Sequence, residues 1–368
     1  MSSNGGPTVA FKLFIDKENR VLFAESDKDF VDILFSFLTL PLGTIVRLFN
    51  KQSQIGCLDE LYRSVESFGE EHFQTRDCRT MLLRPVNAAA AHCDRLKVKV
   101  DADQTGIHVC PYYSSSSCGT GLPEKLLTTQ AIVADPKFQP IKIRLVQAKD
   151  NSSVLYAEVK QDLVDLLFGL LCIPIGSVMK TYDQLSPDGC LHNIYNSVNV
   201  AGCVNQECKS LLLSPKLPPF FGCSSNVLQV EELYPRTHHS PSNYLSELNP
   251  KSPYRGHDTG YTSYVNVGSI NFMVTDDLRI IDFSLAKSLQ AIRSGKIPNG
   301  ELVEKELTLD KTQVLKLLRA AMATRNALSS VLLPPPKYAA TTPTQTTAAS
   351  GLQLSRSLRL QKPIQPGE

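Results

Sequence analysis

The chain has 368 residues, 42% of them hydrophobic, and its 38 basic and 36 acidic residues leave a net charge of +2 at neutral pH. This near balance excludes the strongly basic field of a typical nucleic-acid-binding protein. The amino terminus has no apolar signal segment, and the apolar runs fall short of the roughly 20 residues that span a bilayer. We therefore expect an intracellular globular protein of two or three domains, in the cytoplasm or nucleus, whose ten cysteines are not disulfide-bonded.

The strongest pattern is an internal repeat. The stretch from Val21 to Gly43 is written a second time from Val154 to Gly176, at a constant offset of 133 residues. Matching continues downstream, first at this offset and then at 130, and fades after about 90 residues. The sequence therefore predicts two tandem copies of one folding unit, at residues 9–100 and 141–233.

Each copy is predicted to begin with a β-hairpin and to continue into a buried helix. The extended runs at 9–15 and 20–25 flank a polar turn, and the second copy repeats this arrangement. In residues 29–40 the polar positions form one narrow stripe on an otherwise apolar helix, which is typical of a helix inside a protein. The second copy places Gly169 and Cys172 on this stripe and is expected to be the more deeply buried.

The helix ends carry local signals. Ser26, followed by Asp29, predicts the start of the first helix, and the second copy lacks this cap because Val159 replaces the serine. Pro41 and Pro174 are predicted to end the two helices, and the glycine two residues later is predicted to let the chain turn.

The remaining chain is divided by composition. The predicted parts are an irregular segment between the copies, a linker rich in Pro, Ser, Tyr and His, a partial third copy, and a disordered tail, at residues 101–140, 234–267, 268–335 and 336–368. The third copy is expected to contain a strand at 270–274, a helix around Leu289 and an amphipathic helix at 313–328.

The blocks FAESDKDFVDILFSFLTLPLGTI, MLLRP and LLLSP, together with FMVTDDL at 272–278, resemble the plant family catalogued as domain of unknown function 674. The resemblance covers nearly all of 9–333 and implies a plant protein with tandem copies and no assigned biochemical role. It also implies paired cysteine knuckles between copies. Here Cys110 and Cys118 occur in the corresponding region, but no further cysteine follows before Pro140.

Zinc is the metal that the Cys and His residues near the end of the first copy would favour. The candidate ligands are Cys93, His108, Cys110 and Cys118, with His92 beside the first. Thiolate and imidazole suit zinc, although only His108 and Cys110 have a plausible local spacing. The alternative is that these are ordinary reduced cysteines. Likewise, the repeat-matched pairs Cys57/Cys190, Cys78/Cys208 and Cys93/Cys223 are interpreted as packing residues.

The segment Asp101-x-Asp103-x-Thr105-Gly106 admits three interpretations. A calcium loop would require a bidentate glutamate where Tyr112 stands. An aspartate-nucleophile phosphatase, with Asp276 and Asp277 as magnesium ligands, would require a strand buried on both faces, whereas the preceding run alternates lysines with apolar residues. A turn at the end of a strand is the interpretation that we favour.

The sequence as a whole predicts an α+β protein made of two tandem hairpin–helix copies, a degenerate third copy and a disordered tail. Because the duplication retains apolar positions and no recognisable reaction centre, the favoured function is a non-catalytic protein-interaction or scaffold protein, whose copies could pack as an internal pseudo-dimer. The alternative is a zinc-stabilised module or metal-dependent enzyme that uses the Cys and His residues around 92–118.

Overall fold

The fold is that of a computed structural model. It describes residues 11–90, 138–182, 189–200, 204, 206–223, 225–233, 237–240, 243–246, 249–254, 262–266, 268, 270–294 and 302–334. All of these belong to one compact unit that ends at Pro334. The predicted tail at 336–368 lies outside the described residues, as does the predicted irregular segment apart from 138–140.

The first copy folds as a hairpin followed by helices, as its sequence predicts. Its elements are β1 (Phe11–Ile15), β2 (Val21–Ser26), α1 (Lys28–Ser36), α2 (Leu42–Leu48), α3 (Leu58–Ser67) and α4 (Arg76–Leu83). The second copy repeats them as β3 (Ile141–Ala148), β4 (Val154–Val159), α5 (Gln161–Gly169), α6 (Ile175–Thr181), α7 (Cys190–Val200) and α8 (Gln206–Leu213). A single 3₁₀ turn extends α1 and α5, at Phe37–Thr39 and Leu170–Cys172.

The chain after the second copy adds strands and helices. They are β5 (Thr237–Ser240), β6 (Asn243–Ser246), β7 (Phe272–Thr275), β8 (Ile280–Asp282), α9 (Leu285–Ser294), β9 (Leu302–Leu309), α10 (Lys311–Ala323) and α11 (Ala327–Leu332). The predicted strand at 270–274 appears as β7. The predicted helix at 313–328 is instead two helices, because α10 ends at Ala323 and α11 begins separately at Ala327. Within the predicted linker, β5 and β6 pair as a short hairpin.

One sheet joins the second copy to the third. Its strand order is β8-β7-β4-β3-β9, and all neighbours are antiparallel. The hairpin of the second copy is therefore central, with β7 on the outer edge of β4 and β9 on the outer edge of β3. The hairpin of the first copy forms a separate sheet of two strands.

The start of α1 differs from the prediction. Ser26 is still in strand β2, and the cap is Asp27, whose Oδ1 accepts the Phe30 N–H at 3.0 Å. At the start of α5, Lys160 makes no side-chain capping bond, which confirms the predicted loss of the cap in the second copy.

The prolines end their helices as predicted, but the glycines do not form turns. Pro41 and Pro174 are the N-caps of α2 and α6, so Gly43 and Gly176 lie inside helices. A Cβ on Gly176 would lie 2.5 Å from the Leu212 carbonyl oxygen. Glycine is needed here because two backbones approach closely, which a side chain would prevent.

The first two copies contact each other through equivalent residues. Pro41 and Pro174, which occupy the same position in their copies, form an isolated antiparallel bridge. Two reciprocal 3.0 Å hydrogen bonds flank it: Leu42 N–H to Ile173 O, and Ile175 N–H to Leu40 O. Helix contacts exchange in the same way, since α3 of the first copy contacts α5 of the second and α1 contacts α7.

This exchange produces two structurally equivalent halves, each built from both copies. We call the first hairpin (11–26) with α1, α7 and α8 the open half. The second hairpin (141–159) with α5, α3 and α4 is the covered half, because the third copy packs on it. Contacts of α3 with β8 and of β4 with α9 belong to this cover.

The cover accounts for a difference in burial between the two predicted interior helices. In α5 seven residues are buried, from Leu163 to Gly169, as expected. In α1 only Ile33 is buried, and the other buried residues of the predicted helix 29–40 are Leu38, Thr39 and Leu40 at its C-terminal end. The prediction of an interior helix therefore holds for that end and is wrong for α1. Both helices are apolar enough to be covered, but among the described residues the third copy and the strap pack on the half that contains α5. Among the described residues, no helix is both long enough and apolar enough to cross a membrane.

Candidate functional site

The predicted metal ligands Cys93, His108, Cys110 and Cys118 lie outside the described residues, together with Asp101 and its loop. Across the described ranges, the structure brings together no group of three or more His, Cys, Asp or Glu side chains that could hold a metal ion.

Asp276, a suggested magnesium ligand, has a structural role instead. Its carboxylate accepts the backbone N–H and the hydroxyl of Ser329, at 2.7 and 2.6 Å, and its carbonyl accepts the N–H of Ala327 at 2.8 Å. These bonds hold the first turn of α11. Burial raises the pKa of the Asp276 carboxyl. The neighbouring Asp277 accepts a hydrogen bond from the Thr275 hydroxyl.

The repeat-matched cysteines do not share one environment. Cys57 and Cys78 are buried, as the packing interpretation predicts. Their equivalents Cys190 and Cys208 are exposed, so that interpretation is wrong for them. The cysteines differ in burial because they belong to different halves. In the covered half, Cys57 precedes α3 and Cys78 lies in α4, whereas Cys190 and Cys208 lie in α7 and α8 of the open half. Cys223 is partly buried.

A strap, which we define as residues 249–254 and 262–266 of the predicted linker, contributes buried polar residues to the covered half. Asp165 of α5 accepts the backbone N–H groups of Tyr264 and Val265, at 2.5 and 3.2 Å. Lys251, only 1% exposed, donates to the carbonyls of Gly222 and Thr262 and lies 3.6 Å from the centre of the Tyr264 ring. These bonds satisfy the charged groups by holding the strap, which is a structural function.

A cleft of about 310 Å³ lies beside α6 and the start of α10. Lys180 and Lys311 are among its lining residues, and the Lys180 ammonium donates to the Ser214 hydroxyl at 2.8 Å. The hydroxyls of Ser177, Thr181 and Ser214 also line the cleft, but no Asp, Glu, His or Cys is among the lining residues. Without a group to activate a hydroxyl, this lining does not form a recognisable reaction centre.

The open half presents a different kind of site. Both faces of the first hairpin are solvated, and β2 is exposed along nearly its whole length. The large apolar side chains that are about half exposed or more are Leu13, Ile15, Val21, Leu22 and Phe23, at 50 to 63%. The rings of Phe14 and Phe23 stack at 4.3 Å on one face. Isolated two-stranded hairpins are marginally stable in water, so this surface favours a cover.

The second hairpin shows what such a cover is. The two hairpins share their register and their β-bulge. Leu13 pairs with Ala24 as Leu145 pairs with Ala157, and in each hairpin the bulge follows the next pair of residues. Val146 and Tyr156 stand where Phe14 and Phe23 stand. They form a small cluster with Met273 of β7, against which Ile292 of α9 also packs.

The sequence analysis recognised both hairpins but not the difference between them. The alternation of apolar and polar residues within a strand predicts which faces could be buried. It does not predict which element packs on them, because that element is remote in sequence. The apolar residues of 21–23 occupy both faces of β2 and indicate a strand suited to cover on two sides. Because residues 154–156 have the same pattern, this signal marks the surface but does not show which hairpin is covered.

A family model described as Protein of unknown function (DUF674) matches the chain in three tandem segments, at residues 5–131, 124–258 and 243–362. No curated protein matches the chain. No solved structure matches it either.

Proposed function

Because the chain belongs to the DUF674 family, whose description assigns no activity, we propose that it is a non-catalytic protein-interaction protein and that the open half is its partner-binding surface. The proposal retains the sequence-based predictions of a plant origin and an intracellular location.

The observation that carries the proposal is the unequal cover of two equivalent hairpins. Val154 is 5% exposed in the second hairpin, and its equivalent Val21 is 59% exposed in the first. At about 25 cal/mol per Å² of apolar surface, covering several such side chains would contribute several kcal/mol to an interface. The outer edges of β1 and β2, with which no described strand pairs, add backbone donors and acceptors that a partner strand could satisfy.

The packing of the two copies supports this function in a second way. Their contact through equivalent residues, centred on Pro41 and Pro174, amounts to an internal pseudo-dimer. One half is completed by the third copy within the chain. The open half is thus attached to a folded covered half and has a sheet of only two strands, which could bind a partner by strand addition.

The test compares the proteins that bind to the immobilised chain and to two of its variants. Full-length protein, Phe23→Glu and the control Leu285→Glu are immobilised and exposed to the same plant extract. Leu285 is also strongly exposed, at 72%, but lies on α9 in the cover. We expect at least one protein to bind the parent and the control and to be lost from Phe23→Glu. If no retained protein depends on Phe23, the proposal fails.

The alternative of a zinc-stabilised module or metal-dependent enzyme stays a prediction for residues 92–118. Metal analysis of the purified protein tests it: stoichiometric zinc whose removal lowers the melting temperature would support it, and metal-free protein unaffected by chelator would contradict it.

A further inference from the structure

Resting on the function proposed above, we propose that the open half accepts an added strand: an element of the same chemistry as residues 262–294, supplied by a second polypeptide and paired with the free edge of β2. This element has a short strap, a β-hairpin and an amphipathic helix.

The first step concerns the strand edge. In the covered half, β7 pairs antiparallel with β4 through Tyr156, Ala157, Glu158 and Val159. The equivalent positions of β2 are Phe23, Ala24, Glu25 and Ser26, so three of four keep an identical or closely similar residue. The β2 edge is thus chemically suited to a strand like β7 and has none paired to it within the described residues.

The second step concerns polar anchors. In the covered half, Glu158 accepts the side-chain amide of Asn271 at 2.5 Å, and the Ser64 hydroxyl accepts the N–H of Ile280 at 2.8 Å. The open half carries Glu25 and Ser197 at the equivalent positions, and both side chains are exposed. Ser197 comes from the second copy and Glu25 from the first, as the exchange between copies requires.

The third step concerns the strap. Asp165, 1% exposed, holds the strap by accepting two of its backbone N–H groups. Its equivalent Asp32 has a side chain 41% exposed, with an ion pair to Lys28 at 3.5 Å. The partly exposed Asp32 carboxylate is accessible to the N–H groups of an incoming strap.

The fourth step concerns the helix. Val146 and Tyr156 are covered by Met273 together with α9. On the open half, the stacked rings of Phe14 and Phe23 present the same face, and no described helix packs on it as α9 packs on the covered half. An amphipathic helix after the added strand would bury these rings, as α9 buries their equivalents.

The chain's own third copy cannot serve both halves. The two edges of β7 are already paired, one with β4 and the other with β8. Since no strand other than β1 pairs with β2 among the described residues, we assign the element to another polypeptide, one that carries a strap, hairpin and helix of this type.

The experiment uses the full chain and a fluorescent synthetic peptide of residues 262–294 as the probe. We expect saturable binding with one peptide per chain, weakened at least tenfold by Phe23→Glu and by Asp32→Ala and unchanged by Leu285→Glu. Backbone amides of 21–26 should gain protection from hydrogen exchange when the peptide binds. Circular dichroism and melting temperature confirm that each variant is folded.

Three results would overturn the inference. The first is the absence of saturable binding up to about 1 mM peptide. The second is binding that Phe23→Glu does not weaken, which would indicate that the peptide exchanges with the chain's own third copy. The third is a homodimer in sedimentation that Phe23→Glu dissociates, which would make a second copy of the chain the occupant. If the peptide fails while a retained protein still depends on Phe23, the strand-addition inference fails and the proposed interaction function stands.

Discussion

Asp32 and Asp165 occupy the same position in two copies of one helix, and only Asp165 is buried against a strap. Asp165 is 1% exposed and accepts the N–H groups of Tyr264 and Val265, whereas the Asp32 side chain is 41% exposed beside Lys28. Residues with the same sequence context thus differ because the described parts of the third copy and the strap pack on the covered half.

This pair yields a first prediction. Asp165→Ala should lower the free energy of unfolding by about 2–4 kcal/mol, because it leaves the buried backbone N–H groups of Tyr264 and Val265 without their acceptor. Asp32→Ala should change it by less than about 0.5 kcal/mol. Urea denaturation followed by circular dichroism measures both, and equal losses would contradict the assignment of the two halves.

The two helical glycines give a second matched pair. A Cβ at Gly176 would lie 2.5 Å from Leu212 O and 2.8 Å from Leu38 O, but at Gly43 the nearest oxygens are 3.0 and 3.2 Å away. Gly176→Ala should cost about 1–3 kcal/mol through overpacking. For Gly43→Ala, the gain in helix propensity, about 1 kcal/mol, should offset most of the milder crowding. Thermal melts of the two variants should rank them in this order.

Tyr156 and Phe23 provide a third comparison. Tyr156→Ala should cost about 3–5 kcal/mol, because it removes a ring packed beneath β7 and α9. Phe23 is 57% exposed, so Phe23→Ala should cost less than about 1 kcal/mol in the isolated chain. Chemical denaturation at micromolar protein concentration tests this, and a large loss for Phe23→Ala would show that the first hairpin is already covered.

Thiol reactivity should separate the halves. Cys190 and Cys208 are exposed, whereas Cys57, Cys78 and Cys172 are buried. In native protein, a thiol reagent followed by mass spectrometry should label the first two rapidly and the other three only at the rate of unfolding. Rapid labelling of Cys172 without loss of structure would contradict the packing of the covered half.

Alkaline pH should destabilise the fold through Cys172. Burial raises the pKa of this thiol to about 12 in the folded protein, above the roughly 8.5 of an unfolded cysteine. The contribution of the protonated Cys172 thiol to the free energy of unfolding is fully present below the pKa of the unfolded state. As the pH rises from there towards the folded pKa, the unfolded chain loses the proton first, so stability falls by up to about 1.4 kcal/mol per pH unit. Denaturation midpoints at several pH values should show a shallower decline in Cys172→Ala, while Cys190→Ala should decline as the parent does.

Some of this structure was accessible from local sequence. The paired hairpins, the helices ended by Pro41 and Pro174 and the α+β class follow from periodicity and from the backbone chemistry of proline, which act over a few residues. Other features were not accessible. Gly43 and Gly176 were predicted to form turns, and only the distance between two remote backbones shows that Gly176 must be glycine whereas the space at Gly43 is less restricted.

The amino-acid sequence by itself determined that a hairpin–helix unit occurs in tandem, because the same apolar and polar positions recur at a fixed offset. The tertiary structure alone decided which of the equivalent surfaces is buried. The first two copies exchange helix contacts around Pro41 and Pro174, and the third copy adds β7 to the edge of β4 and β9 to the edge of β3. In the part of the chain that the structure describes, no strand pairs with the outer edge of β2. Burial depends on what is packed opposite a residue, and that partner is remote in the chain.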